Sequence, residues 1–395
     1  MNKIIPYGKH FIDDEDIKAV VDVLRHKNLT QGEEVESFEQ AVADFVGAKY
    51  AVAMSSWTAG LHMACLAAGV SKGDKVVTSP ITFVASANAA VYCNAKPIFA
   101  DIDSETINID HQRLESLVES TPDTKAIIPV HYAGLACNMK EIRAIANKSN
   151  SIVIEDAAHA LGAKYQDGSM VGNCKYSDMT GFSFHPVKSI AAGEGGMITT
   201  NNYEIYKRLL RLRSHGINKL DDAFKSDELA YTHDIQNPWY HEMQELGYNY
   251  RITDIQCALG QSQLKKLPTF VDRRKQLAIQ YDRAFEHYDG IEPIHTSYRD
   301  ISSHHLYVLR INYSSFGTSR ARLMNALKEE QILTQVHYLP VTSQPFYSDL
   351  GYKTDEFPNS LKFYQEALSI PLYFSLSDND QEKVIELIKE NLSKN

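Results

Sequence analysis

The sequence predicts an α/β fold: a large, mixed but mainly parallel sheet sandwiched by helices, followed by a smaller C-terminal α/β domain. Three observations carry this. Short apolar runs alternate with amphipathic helical stretches from the N-terminus to about residue 213, as in successive βαβ units. One of those runs, Ile152 to Ile154, shows no polar alternation, which marks a strand buried on both faces. A second set of strand and helix patterns follows Pro268, so a boundary near 265 divides residues 1–265 from 266–395.

Asp13 and Asp14 can cap a first helix with Ile17, Val20, Val21 and Leu24 on its inward face. The run Lys27-Asn-Leu-Thr-Gln-Gly32 breaks it, and a second helix follows with Val35, Phe38, Val42 and Phe45 inward. Tyr50 to Met54 reads as a strand, and a helix starts near Thr58. Lys75 to Thr78, Pro97 to Ala100 and Ala126 to Val130 read as further strands, with helices over Asp110 to Glu119 and Met139 to Ala146. Gly196 to Thr200 is another strand and Tyr203 to Arg213 a helix. From Ser214 to Glu245 no period holds; a stretch this long predicts an active-site or interface loop. Thr253 is a candidate cap for a helix that continues past Pro268 to about His287. Beyond it, Leu306 to Ile311 and Thr334 to Tyr338 read as strands, and Ser319 to Glu330 and Asp378 to Asn391 as helices.

At 395 residues the chain is long enough for two full cores, and its 44% hydrophobic and 23% charged content is that of a globular protein. A net charge of −10 with no basic block argues against nucleic acid or an anionic membrane as partner. The five cysteines (65, 93, 137, 174 and 257) show neither pairing nor metal-ligand spacing and read as thiols in a reducing compartment. The N-terminal MNKIIPYGKHFIDDEDIK has no apolar h-region and no segment is long enough to span a bilayer, so a cytoplasmic protein is expected.

The chemistry centres on GFSFHPVKSIAAGEGGMITT, Gly181 to Thr200. Phe182 to Phe184 runs into a turn bearing Lys188, and the glycines of Gly193 to Gly196 let backbone approach whatever faces the lysine. A lysine that condenses with an aldehyde must be neutral to attack, which requires surroundings that lower its pKa. Asp156, 32 residues upstream, ends the Ile152 to Ile154 run, and a carboxylate there points into the crevice where parallel sheets bind ligands. Pyridoxal phosphate (PLP) needs both groups: a lysine for its aldehyde and an acid for its ring nitrogen. Taken alone, Asp156 reads more readily as a helix cap. The SSWTAGLH segment adds a phosphate site, because small hydroxyl residues lead into a helix N-terminus at Thr58 and the Ala59 N–H. Phe83 follows a strand end and suits either stacking on a planar ring or core packing.

Together LTQG, the Thr58–Ala59 turn, ITFVAS, EDAAHALGA, FSFHPVKSI with GEGG, RSHGI and GYNYRITDIQ resemble the DegT/DnrJ/EryC1/StrS sugar aminotransferases, fold-type-I PLP enzymes, over essentially the whole chain. The resemblance implies that Lys188 binds the cofactor aldehyde and carries protons, and that Asp156 pairs with the pyridinium nitrogen. His159 lies beside the ring, where many members have glutamine. Ser183, Thr58 and Ala59 hold the phosphate, and Phe83 stacks. Asn249 matches an asparagine that completes the phosphate cup of the neighbouring subunit, which implies a homodimer. Pyridoxamine phosphate is the implied carrier of the amino group. Two positions depart from the usual pattern: Trp57 stands where relatives carry a small residue, and Gly60 where Ser or Ala is commoner. So large a ring beside the phosphate turn is expected to reshape the sugar pocket.

Within the family, SSHHLYVLRI, ILTQVHYLPVTSQPFY and the early KNLTQG are most similar to members of pseudaminic acid synthesis. These move an amino group from L-glutamate to C4 of a UDP-linked 4-keto-6-deoxy-N-acetylhexosamine. That likeness implies nucleotide-sugar contacts from Tyr7, from Lys27, Asn28, Leu29 and Thr30, and from His304, His305, Leu306 and Tyr307. Arg251, His337 and Arg213 are further candidates for the diphosphate. Read as residues alone, Tyr7 is equally packing, Lys27 a solvated helix end and His305 a satisfied polar group. Other readings are an aminotransferase for a dTDP- or GDP-linked 3- or 4-keto sugar, and a non-catalytic sugar-nucleotide-binding relative. Lys188 argues against the related sugar dehydratases, which usually carry histidine at that position.

Overall fold

The structure, a computed structural model, describes residues 4–218 and 223–393. Seven strands, β1 (Tyr50–Met54), β2 (Lys75–Thr78), β3 (Lys96–Phe99), β4 (Thr124–Ile128), β5 (Ile152–Asp156), β6 (Met179–Ser183) and β7 (Gly196–Thr200), form one sheet in the order β1-β7-β6-β5-β4-β2-β3. From β6 through β5, β4 and β2 to β3 every pairing is parallel. Only β7 is reversed, antiparallel to both β1 and β6. Adjacent strand residues point to opposite faces: Ala53, Ile127 and Val153 join one core, while Val52, Ala126 and Ile154 join the other.

The helices divide accordingly. They are α1 (Asp14–His26), α2 (Glu33–Val46), α3 (Trp57–Ala67), α4 (Ala85–Tyr92), α5 (His111–Glu119), α6 (Met139–Ser149) and α7 (Tyr203–Arg213). α2, α5 and α6 cover the first face through Phe38, Leu114 and Ile142, whereas α3, α4 and α7 cover the second through Leu61, Ala89 and Leu209. This is the fold-type-I arrangement of a large mixed sheet between helical layers.

Helix α1 sits differently from its sequence pattern. Val23 is buried, but Ile17 and Leu24 are 54% and 56% exposed. The cause is Asp16, which is fully buried and accepts from Gln263 Nε2 at 2.7 Å while pairing with Lys266 Nζ at 2.9 Å. A buried carboxylate must be paired, and its partners fix which side of the helix faces in. The cap at Asp13 forms a full capping box with Asp16.

The 214–245 stretch, of which 219–222 lie outside the described residues, contains short elements: β8 (Ile217–Asn218), α8 (Asp227–Ala230), β9 (Tyr231–Thr232), β10 (Ile235–Gln236) and β11 (Glu242–Met243). β9 pairs with β10 and β8 with β11, both antiparallel. Helix α9 (Asp254–Phe285) is capped by Thr253 and Gln256 and contains Pro268. It runs unbroken across residue 265, with Leu264 and Leu267 in the first core and Leu277, Tyr281 and Phe285 in a further one.

That further core lies against a three-stranded antiparallel sheet, β12 (Ile291–Pro293), β13 (Tyr307–Ile311) and β14 (Ala367–Ile370), ordered β12-β13-β14. Helices α10 (Arg320–Glu329), α11 (Pro345–Asp349), α12 (Pro358–Glu366) and α13 (Asp378–Ser393) accompany it. Thr334 to Tyr338, which reads as a strand, makes only one bridge, Gln335 to Ser369. Beyond Gln335 the backbone bonds to side chains instead: Val336 N–H to Gln335 Oε1 at 2.9 Å, and His337 C=O to the Tyr132 hydroxyl. The segment therefore leaves the sheet and turns toward the cavity described next.

Candidate active site

The site forms at the sheet edge where β5 and β6 end. Because β7 is reversed, it starts at that same edge, with Gly196 opposite both Ser183 and Met54. The connection between β6 and β7, residues 184–195, stays there as a loop pinned at its base, Phe184 N–H to Gly195 C=O at 3.0 Å and Ala192 N–H to Phe184 C=O at 2.9 Å. Lys188 sits in this loop, half-buried. Burial pushes its amine down to about 8, against the opposing pull of the Asp156 charge.

Asp156 ends β5 and is buried. Its Oδ1 accepts from Trp57 Nε1 at 2.7 Å and from Ala158 N–H at 3.2 Å, and its Oδ2 from Ser86 Oγ at 2.6 Å. The Ala158 bond is the turn-capping contact that the residue type suggests; the other two reach across the fold from α3 and α4.

Lys188 and Asp156 line one cavity of about 580 Å³. Tyr7, Thr58, Phe83, His159, Ser183, His305 and His337 line it too. Phe83 is 59% exposed among buried neighbours, so its ring is offered to the cavity rather than spent on packing. Ser56 caps α3 and lines the cavity with Thr58, and its Oγ accepts the Ala59 N–H at 3.1 Å. The Ala59 amide is thus engaged within the cap, and Ala59 is not on the cavity wall.

Three histidines and a tyrosine gather opposite the sheet edge. The His159 and His305 rings lie 4.3 Å apart, and His159 Nε2 meets the Tyr338 hydroxyl at 3.1 Å. Burial pushes the His159 and His305 imidazoles well below their ordinary value, and nearby Lys188 acts in the same direction. Burial holds His337 down at about 3, and its Nδ1 lies 2.8 Å from Ser369 Oγ. These rings are therefore neutral at pH 7, each able to donate and accept one hydrogen bond. The Nδ1 atoms of His159 and His305 are buried without a partner.

The remaining candidates lie elsewhere in the chain. His304 bonds the Arg299 carbonyl at 2.9 Å, Leu306 is in a hydrophobic cluster, and Tyr307 on β13 donates to Asp282 at 2.8 Å. Lys27 pairs with Glu33 and Glu34, and Leu29 and Thr30 bridge to the α9 cap through Asp254 and Thr253. Asn28, next to Lys27, is off the cavity wall. Asn249 bridges to Ser214, and Arg213 and Arg251 line a separate pocket of about 290 Å³ with Gln31 and His215.

Trp57, Ser86, Gln335 and Tyr338 belong to the site by contact but carry no spacing signal that singles them out. Trp57 is conspicuous only as a departure. Its ring folds inward to 5% exposure, against Gly60 and Gly181, and Trp57 lines the cavity beside Ser56 and Thr58.

The arrangement fits PLP. A lysine with a depressed pKa, a carboxylate with an unused lone pair, an exposed aromatic face and hydroxyls at a helix N-terminus converge on one cavity. Among the described residues no His, Cys, Asp or Glu group could hold a metal, and no helix is long and apolar enough to cross a membrane.

A profile of the DegT/DnrJ/EryC1/StrS aminotransferase family matches residues 10–389. The chain is 41% identical to the spore coat polysaccharide biosynthesis protein SpsC of Bacillus subtilis, covering 98% of this chain and 97% of SpsC. It is 37% identical to a Campylobacter jejuni UDP-4-amino-4,6-dideoxy-N-acetyl-beta-L-altrosamine transaminase, covering 99% and 98%. The structure matches that of Helicobacter pylori PseC, an aminotransferase involved in the biosynthesis of pseudoaminic acid, with a TM-score of 0.89 at 31% identity over 100% of both chains.

Proposed function

The chain belongs to the DegT/DnrJ/EryC1/StrS aminotransferase family, and on that premise we propose that it moves an amino group from L-glutamate to C4 of a UDP-linked 4-keto-6-deoxy-N-acetylhexosamine. The product would be UDP-4-amino-4,6-dideoxy-N-acetyl-β-L-altrosamine, in pseudaminic acid synthesis. The chain is a PLP-dependent sugar aminotransferase by its family; the sugar is the proposed part. It is supported by full-length likeness to the altrosamine transaminase and to PseC. The observation that carries the chemistry is the meeting of Lys188 and Asp156 on one cavity.

PLP, when bound, supplies an electron sink for the carbanion formed at the amino-bearing carbon. Lys188 Nζ, its amine held down at about 8, would take the proton from glutamate Cα and in the second half-reaction deliver one to sugar C4. Between the halves the bound cofactor would carry the amino group, as pyridoxamine phosphate, while 2-oxoglutarate leaves and the ketosugar enters. Asp156 would keep the ring nitrogen protonated, Phe83 would cover the ring, and Thr58 and Ser183 would hold the phosphate. Tyr7, His305 and His337 face the sugar side. The enzyme works as a cytoplasmic homodimer in this reading. Asn249 and the Arg213–Arg251 pocket serve the partner's site, which gives the diphosphate its positive charge.

The test is the near-visible absorption of the PLP-loaded protein titrated with UDP-, dTDP- and GDP-linked amino sugars. Bleaching by the UDP-4-amino-altrosamine alone supports the assignment. Bleaching by another sugar moves the substrate within the family. Lys188→Ala should abolish both the shift and turnover.

A further inference from the structure

Trp57 is placed by design of the backbone around it. A Cβ at Gly181 on β6 would run into the indole, and one at Gly60 would lie 2.6 Å from its Cε3. Two side chains are thus given up to seat one ring, and the only polar atom of that ring meets Asp156.

A carboxylate offers about four lone-pair positions. In Asp156, Trp57 Nε1–H and Ala158 N–H occupy Oδ1, and Ser86 Oγ–H occupies one position of Oδ2. One position on Oδ2 remains. Indole can only donate, so Oδ1 accepts and carries no proton. We propose that Trp57 is a positioning residue: its N–H pins Asp156 so that the remaining Oδ2 lone pair faces the ring nitrogen of PLP. A phenylalanine would fill most of the same space without holding the carboxylate.

The inference rests on PLP being the cofactor, and its test separates the two. Affinity is measured for PLP and for the analogue in which the ring nitrogen is replaced by C–H, in the wild type and in Trp57→Phe. The wild type should prefer PLP. Trp57→Phe should lose about tenfold of that preference, the worth of one hydrogen bond to a charged group, yet bind the analogue as the wild type does. Undiminished preference in Trp57→Phe would reduce the indole to packing and overturn the proposal.

Should that variant fail to fold, the indole N–H resonance answers in the native side chain. The chain has two tryptophans, and Trp239 is 73% exposed, so Trp239→Phe leaves Trp57 as the single signal. Its resonance should move further when PLP binds than when the analogue binds, because only PLP presents the ring nitrogen to the paired carboxylate; equal shifts overturn the proposal. A wild type that gains no near-visible band with PLP would remove the cofactor reading, and this proposal with it.

Discussion

The Tyr338 hydroxyl and His159 Nε2 lie 3.1 Å apart, tying the C-terminal segment to the turn that follows β5. His159 is buried and Tyr338 half-buried, and the other nitrogen of His159 has no partner. The bond alone therefore sets how the imidazole presents itself to the cavity. Tyr338→Phe should lower kcat/KM by roughly tenfold, the cost of about 1–3 kcal/mol for an unsatisfied buried group. Steady-state kinetics check this; an unchanged kcat/KM would show that the bond is idle.

Lys188 should capture PLP at an unusually low pH. Its amine is held at about 8 by burial, against about 10.4 for an ordinary lysine. The neutral, attacking fraction of the apo protein then rises through pH 8 and levels off above it. Following near-visible absorbance after mixing with PLP at pH 6 to 10 gives the midpoint, and a midpoint near 10 would contradict the burial argument.

Phe83→Ala separates binding from folding. The ring is largely exposed, so its removal should change stability by no more than about 0.5 kcal/mol. Stacking on an aromatic ring contributes about 0.5–1.5 kcal/mol, so PLP affinity should fall by a few-fold to tenfold. Thermal unfolding of the apo protein and equilibrium cofactor titration read the two effects independently.

Glu155, the neighbour of Asp156, points the other way, into a sealed polar cluster. His131 Nε2 lies 2.7 Å from its Oε2, and Tyr165 and Thr180 donate to it at 2.8 Å. Burial pushes the carboxyl up, but His131, Ser177 and Thr180 outweigh it and hold it below its usual range. His131 is raised to about 10, burial being overcome by Cys137 and Glu155. A depressed carboxylate stabilises above its unfolded pKa of about 4.3 and loses this as pH falls through its folded value. A raised histidine stabilises fully below about 6.5 and loses it as pH rises through its folded value. The pair should thus stabilise most between pH ~4.3 and ~6.5, and fade toward 10. Glu155→Gln should cost about 3–5 kcal/mol near neutrality and flatten the decline from pH 7 to 10. Chemical denaturation across that range measures both.

Much of the fold is legible in the residues, because buried parallel strands write themselves as short apolar runs; β1 to β5 and β7 fall within two residues of such a run, and β6 begins at Met179, ahead of the Phe182 to Phe184 run. Helix α1 is misread for a definite reason: its inward face is chosen by Asp16 meeting Lys266 and Gln263, some 250 residues away in sequence. The Thr334 to Tyr338 segment has strand composition but, beyond its one bridge at Gln335, bonds to side chains. In the site, Lys188 and Asp156 stand out because their chemistry needs a flanking pattern of strand end and glycine turn. Ser86 and Tyr338 are joined to the site only by tertiary contact, and nothing local distinguishes them from packing residues. His304, Leu306 and Tyr307 show the reverse case: a motif-like run of which only His305 faces the cavity.

The reversal of β7 has a stereochemical consequence. Had β7 run parallel to β6, the chain would have had to cross back along a face of the sheet to the opposite edge. Reversed, it closes a loop pinned at Phe184, so Lys188 approaches the cavity from one fixed side. A base tethered in this way can take or give a proton on a single face of a trigonal carbon. In the proposed reaction the handedness of the new amino-bearing carbon is therefore written into the direction of one strand, and the sugar pocket need only decide which face of the ketone is turned toward it.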